Sequence, residues 1–170
     1  SRLPDFMADV AREAYETFLH TRDGQLCDVM IDKATLEAIY QAGKRSRDQI
    51  IRQYAESTVA VADIKIAVRS QKTAKSLEFM KKAMAKCDSL DIDVLAREAM
   101  VGEEAIKDYL MGTSYAGGAE ALAESPSAFE RWCDNRIIET IRPQLYNSFS
   151  VGPLVAYVIA RENEIKTVRI

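Results

Sequence analysis

A short phrase occurs twice in this 170-residue chain, and it constrains the fold more than any other feature. Both copies open with Asp-x-x-x-Leu/Ile-Glu-x-Ile and close with an acid-Ile-Lys triplet followed by an Arg. The openings lie 102 residues apart and the closing triplets 101 apart. The copies comprise 32–39 with Asp63, Lys65 and Arg69, and 134–141 with Glu164, Lys166 and Arg169. Two similar units predict a scaffold made by duplication. Chance stays an alternative, because Ile, Glu and Lys are common helix residues.

Apolar residues recur at helical spacing along nearly the whole chain, which predicts an all-α fold with long helices. The seven Gly and four Pro fall mainly between the periodic segments. The helix at 46–69 has a moderate apolar stripe, which predicts one solvated face. The other predicted features are a helix from Leu3 that ends at 21–24, helices at 33–42 and 70–86, helix starts near Asp91 and Gly102, a loop at 112–118, a helix capped by Ser127 with Glu130 that reaches Ile141, and a last helix at 152–170.

Composition excludes several classes of protein. Hydrophobic residues make up 48% of the chain and charged residues 29%, as in ordinary folded proteins. A net charge of −3 offers no basic field for nucleic acid. Cys27, Cys87 and Cys133 have no metal-ligand spacing, so we interpret them as buried thiols in a reducing, cytoplasmic compartment.

Few residues suggest chemistry. The single His20 precludes a histidine-based relay, and Gly117-Gly118 lacks the frame of a phosphate-binding loop. We expect Phe129 and Trp132 to be core anchors. One alternative hypothesis is a small helical enzyme with a metal held by acids, using Asp88, Asp91 and Glu103. The acids at 88, 91 and 93 do not fit the EF-hand spacing, and we favour the interpretation that they begin helices.

The most unusual pattern lies near the end of the chain. Glu162 falls on the same helical line as Val158 and Ile165, where an unpaired carboxylate is costly. Lys166 and Arg169 are candidate partners. The pattern predicts either a solvated helix end with a routine ion pair or a buried polar clamp, and neither is catalytic. Position 61 of the first copy, which matches 162, is a valine, so the two units are expected to differ there.

The segment 160–170, Ala-Arg-Glu-Asn-Glu-Ile-Lys-Thr-Val-Arg-Ile, together with 152–157, resembles the closing signature of the family of C proteins found in V-type and A-type rotary ATPases. Segment 62–69, Ala-Asp-Ile-Lys-Ile-Ala-Val-Arg, resembles the corresponding segment of a preceding repeat. The residues that carry this structural motif are Asp63, Lys65, Arg69, Glu162, Asn163, Glu164, Lys166 and Arg169. The family often has Asp and Asn where this chain has Ala60 and Asp63, which puts a side-chain amide contact at 63 in doubt.

The resemblance implies a non-catalytic protein of the central stalk, without catalytic, cofactor or metal residues. Such proteins form a funnel-like socket that couples the rotating stalk to the membrane proteolipid ring during proton or sodium transport. Their partners are the other stalk proteins and the ring, and they lie peripherally on the cytoplasmic face. The charged stretches 45–52 and 72–86 are candidate interfaces, although a solvated face is the simpler interpretation of each. A general helical-repeat adaptor unrelated to membranes is the alternative.

The resemblance covers only the middle and later part of a family chain. Ser1 is not an initiator residue, and Ile170 stops within a helical pattern. We therefore expect an excised piece of a longer protein, divided into units at 1–86 and 87–170. Such a piece could dimerise through surfaces that the missing parts normally cover.

Overall fold

A computed structural model describes residues 5–21 and 24–145. Within these ranges the chain forms eight α-helices and no strand, which confirms the all-α prediction. The helices are α1 (Asp5–Thr21), α2 (Gly24–Arg45), α3 (Gln49–Lys72), α4 (Leu77–Ala83), α5 (Ile92–Val101), α6 (Glu103–Met111), α7 (Ala116–Glu124) and α8 (Pro126–Leu145). The funnel-like arrangement and the division at 86/87 stay predictions.

The longest helix, α3, lies at the centre of the described structure. The carboxylate of Asp48 caps its first turn by accepting a hydrogen bond of 2.8 Å from the Ile50 N–H. Helices α2, α4, α5, α6 and α8 all pack against α3. Val59, Ala60 and Val61 are buried in succession, so burial extends around most of the helix at this level. The prediction of one solvated face along the whole helix was therefore wrong.

The buried side chains form one apolar cluster that extends from Val59 to Cys133 and draws on both sides of position 86. Phe129 is buried and Trp132 packs against the cluster, which confirms both as core anchors. Their rings stack with centroids 6.3 Å apart. Helix α8 therefore carries a large part of the apolar contact between the end of the described chain and its centre.

Two helix boundaries in the first half differ from the predictions. Helix α2 begins at Gly24 rather than at 33, because the segment 24–32 packs on α1, where the Cys27 thiol donates to the Ala14 carbonyl at 2.8 Å. The continuous helix predicted at 70–86 is interrupted. Helix α3 ends at Lys72, Ala74 adopts a left-handed φ of 54°, and α4 covers only Leu77–Ala83.

Two further boundaries differ in the second half. The predicted loop at 112–118 ends early, because Gly117 and Gly118 lie in α7 beneath Trp132. A Cβ at these positions would lie 2.7 Å and 2.9 Å from atoms of that indole, so only glycine allows this close approach. Ser125, not Ser127, caps α8 by accepting a hydrogen bond of 3.0 Å from the Ala128 N–H, and Pro126 occupies the first helical position. The helix then runs past Ile141 to Leu145.

The helix predicted at 152–170 and the clamp at Glu162 lie outside the described residues, as does the side chain of His20. The overlay of the two copies of the repeated phrase therefore stays a prediction. Among the helices of 5–21 and 24–145, none combines the length and the apolar character that crossing a membrane requires.

Candidate functional site

Asp63 of the repeated phrase is fully buried on α3. Its Oδ1 accepts a hydrogen bond of 2.9 Å from the backbone N–H of Ala85, and its Oδ2 accepts a longer one of 3.8 Å from the Cys87 thiol. Both partners belong to the segment between α4 and α5. The side chain therefore attaches α3 to this segment through a single strong bond and one weak bond.

Burial dominates the protonation of this pair. Removal from water raises the pKa of Asp63 to about 8, against a partial lowering by the Ala85 N–H and the Cys87 thiol. Burial first, and then the nearby Asp63 carboxyl, raises the pKa of the Cys87 thiol to about 12. At neutral pH the carboxyl group of Asp63 is therefore mainly neutral. As a neutral acid it carries one O–H donor in addition to its acceptor oxygens, which is the hydrogen-bonding inventory of an amide side chain.

Glu56 lies seven residues before Asp63 on α3, and both side chains bind the same neighbouring segment. Its carboxylate accepts from the backbone N–H groups of Asp88 and Ser89, each at 3.0 Å, and also from the Ser89 hydroxyl. Ser89 shares a further hydrogen bond of 2.6 Å with the Tyr115 hydroxyl. We call Glu56 and Asp63 the α3 acid pair. Together they fasten the segment 85–89 to the central helix.

The other two motif residues of the first copy contact α8. Lys65 Nζ lies 3.4 Å from one carboxylate oxygen of Glu130, and Arg69 Nη2 lies 3.8 Å from the other. Farther along the two helices, the hydroxyls of Ser57 and Thr140 form a hydrogen bond of 2.8 Å. The structure thus brings the motif together on one helix but directs it to two different neighbours.

The acids of the metal-enzyme hypothesis do not converge on one site. Asp88 is exposed and accepts from the Tyr40 hydroxyl at 2.7 Å and from Lys44 Nζ at 2.6 Å, and both bonds lower the pKa of its carboxyl. Asp91 caps α5, and Glu103 lies in the first turn of α6. Across 5–21 and 24–145, no group of three or more His, Cys, Asp or Glu side chains is placed to hold a metal ion.

Comparison with known proteins decides the family. The family model described as ATP synthase (C/AC39) subunit matches residues 2–170, which is nearly the whole chain. The chain belongs to the C/AC39 family of rotary ATP synthase subunits. This confirms the resemblance that the segments 62–69 and 152–170 carry.

One relative is the C-type subunit of the A-type ATP synthase of Methanocaldococcus jannaschii, with 25% identity over 153 residues. The match covers 84% of this chain and 38% of that protein, so the chain spans well under half the length of this relative. No solved structure matches the chain.

Sequence reasoning on this C/AC39 chain found Asp63, Lys65 and Arg69 but missed their partners. Glu56 carried a usable signal, because an acid seven residues before Asp63 must share its helix face. Glu130 and Cys87 carried none. Both become neighbours of α3 only after the chain has folded back on itself.

Proposed function

We propose that this chain is part of a non-catalytic subunit that couples the rotating central stalk to the membrane proteolipid ring of a V/A-type ATPase. Membership of the C/AC39 family supports a role within the complex. The observation that carries the proposal is the attachment of α3 on two sides. The α3 acid pair binds the segment 85–89, and Glu130 and Thr140 connect α3 to α8.

A coupling element must pass torque with little bending, and this architecture is suited to that task. Helix α3 has 24 residues and is about 36 Å long. Its bonds to other segments lie at several levels along its length, from Ser57 to Arg69. A load applied at one end is then shared by several neighbouring helices rather than by one joint.

The surfaces that bind other subunits are proposed from charge and exposure. Arg45, Arg47 and Arg52 are exposed in the stretch 45–52, and Lys81, Lys82 and Lys86 are exposed in the stretch 72–86. We assign these stretches to contacts with the stalk or the ring. The assembled protein would lie peripherally on the cytoplasmic face, and the transported ion would be a proton or sodium.

The test is affinity purification of the tagged full-length protein from its native membranes. Stalk subunits and the proteolipid ring should copurify with it, and a complex from which it is missing should hydrolyse ATP without pumping ions. Recovery of an unrelated set of partners, with neither stalk nor ring, would instead favour the helical-repeat adaptor.

A surface variant sharpens this experiment. Reversal of Arg45 and Arg47 to Glu should reduce the recovery of the other subunits, because both side chains lie on the proposed interface. Arg97→Glu is the matched control, since Arg97 is also exposed but lies on α5, outside both stretches. Equal recovery with all three proteins would exclude the stretch 45–52 as an interface.

A further inference from the structure

A cleft of about 500 Å³ opens between α2, α3 and α8, next to Glu56. Each of these helices contributes one cation to its lining: Lys44 from α2, Arg52 from α3 and Arg136 from α8. The three side chains come from distant parts of the sequence, so the tertiary fold alone creates this concentration of positive charge.

The cations differ in how they are paired. Lys44 is bound to Asp88 at 2.6 Å, whereas neither Arg52 nor Arg136 lies within 4.0 Å of a carboxylate belonging to the described residues. The Arg136 guanidinium lies 4.9 Å from the centroid of the Tyr115 ring. Its Nε is buried and, in this part of the chain, has no hydrogen-bond acceptor. A buried donor without an acceptor is uncommon in folded proteins.

The acids of the lining are already engaged by groups of the protein. Glu56 accepts from two backbone N–H groups and the Ser89 hydroxyl, and Asp88 accepts from Tyr40 and Lys44. Three cations and two carboxylates give the lining a formal charge of +1. The positive charge that lacks a counter-ion within this lining therefore lies on the two arginines.

We propose that this cleft binds a single oxyanion group, a phosphate or a carboxylate, through Arg136 and Arg52. A guanidinium presents N–H donors in a fixed fork that matches the oxygens of either group. The buried Nε of Arg136 would gain the acceptor that it lacks. A group with one negative charge would balance the lining. This inference goes beyond the coupling function and does not depend on it, because binding needs only this chain.

The experiment is a titration of the full chain, labelled with ¹⁵N, at constant ionic strength maintained with sodium chloride. Inorganic phosphate is added in one series and acetate in another, and the Arg Nε–H resonances are followed. We expect a saturable shift of the Arg136 resonance. Saturation by phosphate alone identifies a phosphate site, and saturation by acetate alone identifies a carboxylate site. Absence of saturation with both anions overturns the proposal.

Variants separate the cleft from general screening. Arg136→Gln should weaken binding at least tenfold, while Arg131→Gln should leave it unchanged, because Arg131 is an exposed arginine on the same helix that does not line the cleft. Equal affinities of these two variants would contradict the proposal. If loss of the Tyr115 contact unfolds Arg136→Gln, the exposed Arg52→Gln variant decides. It should weaken binding at least threefold, and an unchanged affinity would overturn the role of the cleft.

Discussion

Glu56 and Asp63 are two carboxyl groups on one helix that hold one neighbouring segment, but they do so in opposite ways. Glu56 is half-buried and its oxygens accept from two N–H groups and a hydroxyl. Asp63 is fully buried and has one strong donor and one weak thiol donor. The comparison shows that burial and hydrogen-bond supply, rather than residue type, determine how an acid contributes to this fold.

The two acids should therefore respond differently to pH and to substitution. Each donor to a charged carboxylate adds stability while the acid stays ionised. A buried acid with few donors is instead most stable in its neutral form. Glu130, which lies on the surface and faces Lys65 and Arg69, provides a third and weaker case.

The largest expected effect is on the pH dependence at Asp63. Because its folded pKa of about 8 lies above the unfolded value of 3.8, the folded state binds the proton more tightly. The stability from this group is fully present below pH 3.8 and is lost as pH rises towards 8. Between pH 5 and 7 the wild type should lose about 3 kcal/mol of unfolding free energy relative to Asp63→Asn. Urea unfolding at both pH values measures the difference.

The control for this prediction is Asp108→Asn, which changes an exposed aspartate on α6. Its stability should follow the wild-type pH dependence. Parallel pH curves for the wild type and Asp63→Asn would show that the Asp63 carboxyl ionises normally in the folded protein, and the contrast with Glu56 would disappear.

The next effect concerns Glu56. Glu56→Ala removes the acceptor of three donors and should lower the unfolding free energy by about 2 kcal/mol. Backbone amide exchange should accelerate at Asp88 and Ser89 but not at Ala85, which Asp63 holds. Glu139→Ala, an exposed position on α8, should change stability by less than about 0.5 kcal/mol. Equal losses in the two variants would mean that the segment 85–89 does not need Glu56.

The smallest effect is expected at the α3–α8 ion pairs. The side chain of Glu130 is 49% exposed and that of Arg69 is 72% exposed, so solvent screens both contacts. Glu130→Gln should lower the unfolding free energy by less than about 0.5 kcal/mol, and added salt should reduce even this difference. A loss as large as that of Glu56→Ala would place the main attachment of α3 on α8 instead of on the segment 85–89.

The sequence supported the fold class and most helix starts, because apolar spacing and capping residues are local signals. Asp48, Asp91 and Ser125 each cap a helix within two or three residues of their own position. The failures arose where a distant segment overrides a local signal. Gly117 and Gly118 look like a loop until Trp132 packs on them, and the segment 24–32 becomes helical against α1.

The candidate site shows the same division. The repeated phrase singled out Asp63, Lys65 and Arg69, and the helical spacing placed them on one helix. Their partners Ala85, Cys87 and Glu130 are 22, 24 and at least 61 residues away in sequence. No local pattern encodes contacts at such separations.

The sequence by itself determined that this chain is helical, that it belongs to the C/AC39 family, and that its central long helix carries an acid-Ile-Lys triplet. Only the tertiary structure decided that Asp63 is enclosed with scarce donors while Glu56 is well supplied, and that three cations from three helices meet at one cleft. The physical reason is that periodicity and capping act within a few residues, whereas desolvation and charge pairing depend on what the folded chain brings alongside.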